Sequence, residues 1–437
     1  MRVDGLTVSS QRKGPVRNMP VAELQHKILA EPNCRQDSGL LNRRPLHVCM
    51  VAYTFYETDS RVIRYAESLV QRGDQVDVFS LGKAGAAAKE TLHGVNVTRL
   101  QGRLFDETGR FSYLWRVLLF LARALYHVSI HDLSQHYDIV HVHSVPDFLV
   151  FTALLPRLRG VPVILDIRDI LPEFYASKFE VSERSLGFRS LCFVERLCAR
   201  FASHVIIANH TWRERLLSRS VVRAGQCSVM LNVPDRSIFM QSKREKEASD
   251  SFLLLYHGTL NRHQGLDVAV RAFAKIRDLA PKTEFHIFGD GPSKAELRSL
   301  IEQLHLEGRV VLYERRPLWE IPKIVETARL GIVPKRKDNF GNEAFSTKIL
   351  EFMAMGVPVI VSDTNVDRCY FDDSLVRFFR AEDEADLARC ILDLIHHPEK
   401  RVALVECATK FVSQNDWALK KQEYFDLVDG LLPSPKS

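Results

Sequence analysis

HVCMVAYTFYETDSRVIRYAESLVQRGDQVDVFSL, residues 47–81, holds the pattern that decides the fold. Residues 47–54 read as a strand buried on both faces of a sheet. Asp59 or Ser60 can then cap a helix over 61–71, Gly73 closes it, and QVDVFSL starts the next strand. The unit is strand, helix, strand.

The same unit recurs to both sides. DIVHVHS (138–144), VPVILDIRD (161–169) and HVIIANH (204–210) read as strands. DFLVFTALLPRL and the stretches 186–202 and 211–219 read as helices between them, and CSVMLNVPD (227–235) closes the series. A polar, charge-rich linker, QSKREKEASDS (241–251), leads to a second series. There FLLLYHG, TEFHIFGDG, RVVLYE, RLGIVPK and VPVIVSD are strands and the segments between them helices. Apolar runs alternating with amphipathic segments imply parallel sheets covered on both faces. The expected architecture is α/β, two doubly wound Rossmann-like domains over 45–238 and 239–415 facing across a cleft. Ligands of such sheets sit beyond the carboxyl ends of the strands. Residues 1–44 are polar and weakly periodic and are expected to form a disordered leader. The tail over 416–437 is an amphipathic helix expected to pack back on the first domain.

Composition fits a globular protein: 437 residues, 46% hydrophobic and 26% charged. The net charge of +6 is uneven. Residues 1–250 hold 34 Lys and Arg against 26 Asp and Glu, while the remainder hold 26 against 28. A basic front half suits a membrane surface or phosphorylated ligands, and equally an ordinary solvated surface. Eight cysteines show no C-x-x-C pair, so reduced thiols and a cytoplasmic location are expected, possible peripheral contact with a membrane included. The opening MRVDGLTVSSQRKG has no apolar core of a secretory signal. FSYLWRVLLFLARALYHVSIH (111–131) is interrupted by Arg116, Arg123 and His127 and is not expected to span a bilayer. It can lie on one or pack as an ordinary helix on a sheet.

The most informative segment for chemistry is NEAFSTKILEFMAMG, 342–356. Ser346 or Thr347 can cap a helix ended by Gly356, but Ile349 or Leu350 occupies the third helical position, so no capping box forms. The first-turn amides are left for an outside anion, and Lys348 adds a positive charge. Glu343 before the helix and Glu351 within it can accept hydrogen bonds from sugar hydroxyls. A ligand with hydroxyls at both ends and phosphate between them is a nucleotide sugar.

EAFSTKILEFMAMGVPVI resembles the E-x7-E region of the retaining glycosyltransferases of family 4, which have the GT-B fold. YHGTLNRHQGLD, FGDGP, DIVHVHS, LDIRDILPEF and the tail from Trp417 to Tyr424 follow in matching order. The resemblance implies that Glu343 contacts the transferred sugar, Glu351 the ribose, and the amides of Phe345, Ser346, Thr347 and Lys348 the diphosphate. Gly258, Thr259, Gly289 and Tyr313 would border the donor. The family places an Arg directly after the glycine of the G-x-L turn and a Lys directly before the next glycine; this chain has Thr259 and Gln264 there. Arg262 and Lys348 are expected to supply that charge.

On the other wall, Arg168 can contact phosphate, while Asp169 can position or deprotonate the acceptor hydroxyl or cap the following helix. His143 sits at a strand end, in a ligand-facing or a structural role. Arg61 can reach an anionic acceptor or remain a surface arginine. No metal and no cofactor are expected. The resemblance implies that the acceptor is a saccharide, free or polyprenyl-linked, in exopolysaccharide or lipopolysaccharide assembly, and no nucleic acid is expected as partner. An epimerase or phosphorylase on the same fold and a non-catalytic nucleotide-sugar binder are the alternatives.

Overall fold

The computed structural model describes residues 44–102, 110–179, 181–234, 238–239 and 251–432. The leader expected over 1–44, but for Arg44, and the linker expected over 241–251, but for Ser251, lie outside them.

The quoted unit folds as its pattern requires. Strand β1 (His47–Phe55) is followed by a helix Ser60–Gln71 and strand β2 (Gln75–Gly82). Asp59 caps that helix, its Oδ1 accepting from the Val62 amide at 3.1 Å. Gly73 takes φ +96°, the left-handed turn that ends it. Six more strands complete the first sheet: β3 (Lys89–Leu92), β4 (Val95–Gly102), β5 (Ile139–His143), β6 (Val163–Ile167), β7 (His204–Ile207) and β8 (Cys227–Val229). Their order is β3-β4-β2-β1-β5-β6-β7-β8, parallel throughout except for β3 on β4. That edge hairpin is absent from the sequence reading. Its turn is His93-Gly94, both residues at positive φ, and its outer strand KETL is polar, so neither the usual Asn-Gly nor an apolar run announces it. DFLVFTALLPRL also departs from the single helix expected, with a 3-10 stretch Asp147–Ala153 ahead of a short α-helix Leu154–Leu158.

The second sheet has strands β9 (Phe252–His257), β10 (Thr283–Phe288), β11 (Val310–Tyr313), β12 (Leu330–Val333), β13 (Val359–Ser362) and β14 (Arg377–Phe379). It is parallel, in the order β11-β10-β9-β12-β13-β14.

Strand alternation splits the packing of the first sheet. Val48, Met50 and Ala52 of β1 face a core shared with Tyr65 and Leu69, while Cys49, Val51 and Tyr53 face Val117, Phe120 and Val128. The first of these cores runs on into the second domain through Ile349, Phe352 and Val361. A C-terminal helix, Trp417–Gly430, belongs to that shared core and lies on the first domain. Trp417 Nε1 donates to Ser68 Oγ at 2.9 Å, and Tyr424 lies 4.3 Å from Tyr65 between ring centroids. Across the cleft, Phe340 packs between Phe174 (5.2 Å) and Trp212 (5.9 Å) of the first domain. The carboxyl ends of β5, β6, β9 and β12 therefore converge on one crevice, the position expected for a ligand in doubly wound sheets.

Candidate active site

One wall is the helix Thr347–Ala354. Ser346 is its N-cap, yet its side chain makes no capping bond, and its buried Oγ has no partner. The amino end is bare, as the sequence implied, and Gly356 at φ +63° stops the other end.

Lys348 turns back from the first helical turn toward the end of β9. A Cβ on Gly258 would fall 2.2 Å from Lys348 Cε, so only glycine leaves the lysine its berth. Gly289 is equally constrained, since its Cβ would meet the Gly258 carbonyl oxygen at 1.9 Å. The ammonium lies 5.4 Å from the centre of the Tyr256 ring. Burial pushes its pKa down to about 8, Glu351 pulling up and Lys335 pushing further down. A lysine so placed gains by meeting an anion.

Glu351 lies one helical turn beyond, half-buried. Burial raises its carboxyl pKa, while Lys348, a hydrogen bond from Thr347 and the charge of Arg64 hold it down. His257 Nε2 stands 3.4 Å from its Oε2. That histidine is held at about pKa 3, chiefly by burial, so it is a neutral neighbour and no ion-pair partner. Glu343 occupies the loop before the helix, where Arg215 of the first domain ion-pairs with one of its oxygens. Asn209 Nδ2 donates to the Glu343 carbonyl at 3.0 Å. The other carboxylate oxygen, Oε2, is buried with no protein partner. Arg215 is itself fixed by Glu173 at 3.0 Å, and Glu173 also pairs with Arg219.

Of the remaining donor-side residues, Phe345 turns its ring into the core against Tyr370 (4.9 Å) and Phe371 (5.9 Å), leaving its backbone toward the helix start. Tyr313 stacks flat on Phe288, 4.3 Å apart at 9°, at the ends of β10 and β11. Thr259 is exposed, and its carbonyl accepts from Tyr256 Oη at 2.8 Å. Gln264 is buried and accepts from the same hydroxyl at 3.2 Å, so it locks the turn. Arg262 is exposed, lining a shallow cavity with Asp267, Glu296 and Arg336.

The opposite wall is more tightly bonded than the sequence suggested. Arg61 is buried, not a surface residue reaching for an acceptor. Its Nε and Nη2 grip Asp166 at 2.7 and 2.8 Å and its Nη1 donates to the Met230 carbonyl at 2.9 Å. The fork is spent on a fully buried carboxylate. His143 is buried beside it, Nδ1 at 3.1 Å from Asp166 Oδ2, and its Nε2 has no protein partner. His141, His143 and Asp166 form the one cluster with metal-ligand proximity among the described residues. Asp166 there is already neutralised by Arg61, and His141 Nδ1 is bonded to Tyr424 Oη at 2.9 Å, while the Nε2 atoms of both histidines are buried without protein partners. Arg168 pairs with Asp59, leaving its Nε and Nη2 buried without partners. Asp169 follows on the same loop, its pKa raised by burial and held back by Arg168.

The sequence reading missed Lys335, Arg215 and Asn209. Lys335 lies two residues beyond β12, 2% exposed, bonded to Asp367 at 2.9 Å and to the Ala344 carbonyl at 2.6 Å, which shapes the loop carrying Glu343. A lysine just beyond the carboxyl end of a buried strand was the available signal. Arg215 and Asn209 belong to a helix of ordinary polar appearance and its cap, and carried none.

Residues 59–232 match the family described as Glycosyl transferase 4-like domain, and residues 238–411 the family Glycosyl transferases group 1. Among curated proteins, the chain is 25% identical over 300 residues to the phosphatidylinositol N-acetylglucosaminyltransferase gpi3 subunit of Schizosaccharomyces pombe, covering 68% of this chain and 62% of that one. It is 24% identical over 269 residues to the alpha-D-kanosaminyltransferase of Streptomyces kanamyceticus, 58% of this chain and 67% of the other. Among solved structures, the sucrose-phosphate synthase of Thermosynechococcus elongatus superposes with TM-score 0.70 at 18% identity, covering 89% of this chain and all of that one. Anabaena HepE in complex with UDP and glucose gives TM-score 0.68 at 18% identity, over 88% and 100%. Two Rossmann-like sheets in the GT-B arrangement and two matched segments lead to one conclusion: the chain joins a glycosyl transferase 4-like domain in front to a glycosyl transferases group 1 domain behind.

Proposed function

We propose that this glycosyltransferase moves a sugar from a nucleotide diphosphate onto a hydroxyl of a saccharide or lipid-linked saccharide, with retention of configuration, in the assembly of a bacterial surface polysaccharide. One observation carries the reading: a half-buried lysine and an uncapped helix start lie between two carboxylates, Glu343 and Glu351. The diphosphate takes the amides of 345–348 and the Lys348 ammonium; Glu351 accepts from the ribose, and the unpartnered Oε2 of Glu343 accepts from a sugar hydroxyl. Tyr313 on Phe288 offers a flat aromatic edge to the base.

In the proposed reaction the bond from the anomeric carbon to the diphosphate oxygen breaks while the acceptor oxygen bonds that carbon from the same face. The acceptor proton passes to the departing diphosphate, and Asp169 orients the hydroxyl. Stabilising the developing charge on the diphosphate is then the main contribution of the protein. Lys348, backed by Lys335, supplies cationic charge from side chains, so we propose that no metal is required. HepE, crystallised with UDP and glucose, makes UDP-sugars the first donors to try. The seven described cysteines are free thiols, in keeping with the proposed cytoplasmic site of action.

The test is a panel of nucleotide sugars scored by the rise in melting temperature, followed by turnover with the best one. Glu351→Ala is expected to abolish most of the rise and to raise the donor KM severely, while Glu343→Ala chiefly lowers kcat. Unchanged kinetics in both variants overturn the assignment.

A further inference from the structure

The helix Arg110–Gln135 is apolar on two opposite sides. Its inner stripe, Val117, Phe120, Ala124 and Val128, is at most 1% exposed and packs on the first sheet. Its outer stripe, Leu114, Leu118, Ala122, Tyr126, Ile130 and Leu133, repeats at spacings of four and three and faces solvent, Tyr126 and Leu133 being 62% and 60% exposed. Trp115, 69% exposed, stands beside the first turn of that stripe. A water-facing stripe of this length has no role in holding the sheet, since the inner stripe does that.

The neighbouring elements extend the surface. The helix packs on the segment 147–158, which packs in turn on the helix Leu186–Phe201, and these expose Leu158, Leu186 and Phe193 at 76%, 80% and 66%. Charge on these three elements is sorted by sign. The carboxylates, Asp132, Asp147 and Glu195, are at most 2% exposed and turned inward, Asp132 against Arg159 at 3.0 Å. The arginines at 123, 157, 189, 196 and 200 are exposed. An apolar face edged by cations, with every acid of its own elements withdrawn, complements a bilayer containing anionic lipid. The inner stripe is committed to the domain core, so the helix lies along the bilayer plane.

We propose that this face, centred on the outer stripe of Arg110–Gln135, docks the enzyme onto an anionic membrane surface. Its orientation puts the crevice at the bilayer. The helix starts at the carboxyl ends of the strands, where Tyr113 meets Tyr53 of β1 edge-on at 6.2 Å and the Arg116 carbonyl accepts from Gln101 of β4 at 3.3 Å. Trp115 thus stands at the strand-end side of the first sheet, the side on which the crevice opens to an acceptor hanging from a lipid. This deepens the proposed function, which supplies the lipid-linked acceptor.

The experiment is co-sedimentation of the full chain with vesicles of phosphatidylcholine alone and of phosphatidylcholine mixed with phosphatidylglycerol. Wild type is expected to partition onto the mixed vesicles far more than onto the neutral ones, less so at high salt. The double variant Leu118→Glu, Tyr126→Glu is expected to lose about a hundredfold in partitioning, with melting temperature and nucleotide binding unchanged. Leu118→Ser with Tyr126→Ser, a milder pair, covers the case in which the charged pair unfolds. Wild type left in solution with both vesicles, or a folded variant that partitions as well as wild type, overturns the proposal. So does a wild-type dimer that turns monomeric in the variant while vesicle binding is absent. Nucleotide binding measured without vesicles reports on the donor site alone, so failure of the docking face and failure of the donor reading are separable.

Discussion

The two walls of the crevice are built on opposite principles. The donor wall is local: Gly258, Gly289, Ser346, Lys348 and Glu351 act within two short loops and one helical turn, and Ser346 Oγ and Glu343 Oε2 there are buried without partners. The acceptor wall is held by long-range pairs, with Arg61 bound to Asp166, Arg168 to Asp59 and His141 to Tyr424 across 105, 109 and 283 residues, although Arg168 Nε and Nη2 and the Nε2 atoms of His141 and His143 keep no protein partner. Buried charges that have partners hold a shape, whereas buried charges without them await a ligand. The comparison predicts that damage to the acceptor wall appears first as lost stability, and damage to the donor wall as lost binding.

The largest effect is expected at Arg61. Arg61→Ala strands Asp166, which is fully buried, and is expected to destabilise the chain by about 3–5 kcal/mol, read by urea or thermal unfolding. A fully stable variant with impaired transfer breaks the distinction between the walls. Arg215→Ala lies between them, since that residue joins Glu343 to Glu173. Removing it frees the sugar-facing carboxylate to move, and kcat is expected to fall roughly tenfold with little change in donor KM. An equal rise in KM sharpens the picture differently, placing Arg215 in ground-state binding. The smallest effect is at the strap: Trp417→Phe removes the bond to Ser68 and is expected to cost about 1 kcal/mol in unfolding, with donor binding intact.

The same contrast explains what the sequence disclosed. Apolar strand runs, the Asp59 cap and the Gly73 stop define the doubly wound fold, because they are local requirements of sheets and helices. The bare helix start at Ser346 was legible for the same reason: the absence of a capping partner is visible within four residues. Arg61 was not. An arginine in the first turn of an amphipathic helix ordinarily points to water, and its partner Asp166 lies in another strand unit. Arg215 and Asn209 escaped notice likewise, since only docking of the domains brings them to Glu343.

The most direct test of the donor wall is the pH dependence of UDP binding by calorimetry, wild type against Lys348→Met. Its lysine is charged in the free protein below pH about 8 and neutral above it, so bound diphosphate must recruit a proton at higher pH. Wild-type affinity is therefore expected to hold below pH 8 and to fall toward tenfold per unit above it. Burial of that ammonium also opposes folding most fully below pH 8 and is relieved as pH rises through it, so Lys348→Met is expected to melt no lower than wild type. The variant should bind UDP more weakly at neutral pH and without that falling limb. Equal affinities and equal pH profiles for the two proteins would contradict the central claim that a half-buried lysine at an uncapped helix start receives the diphosphate.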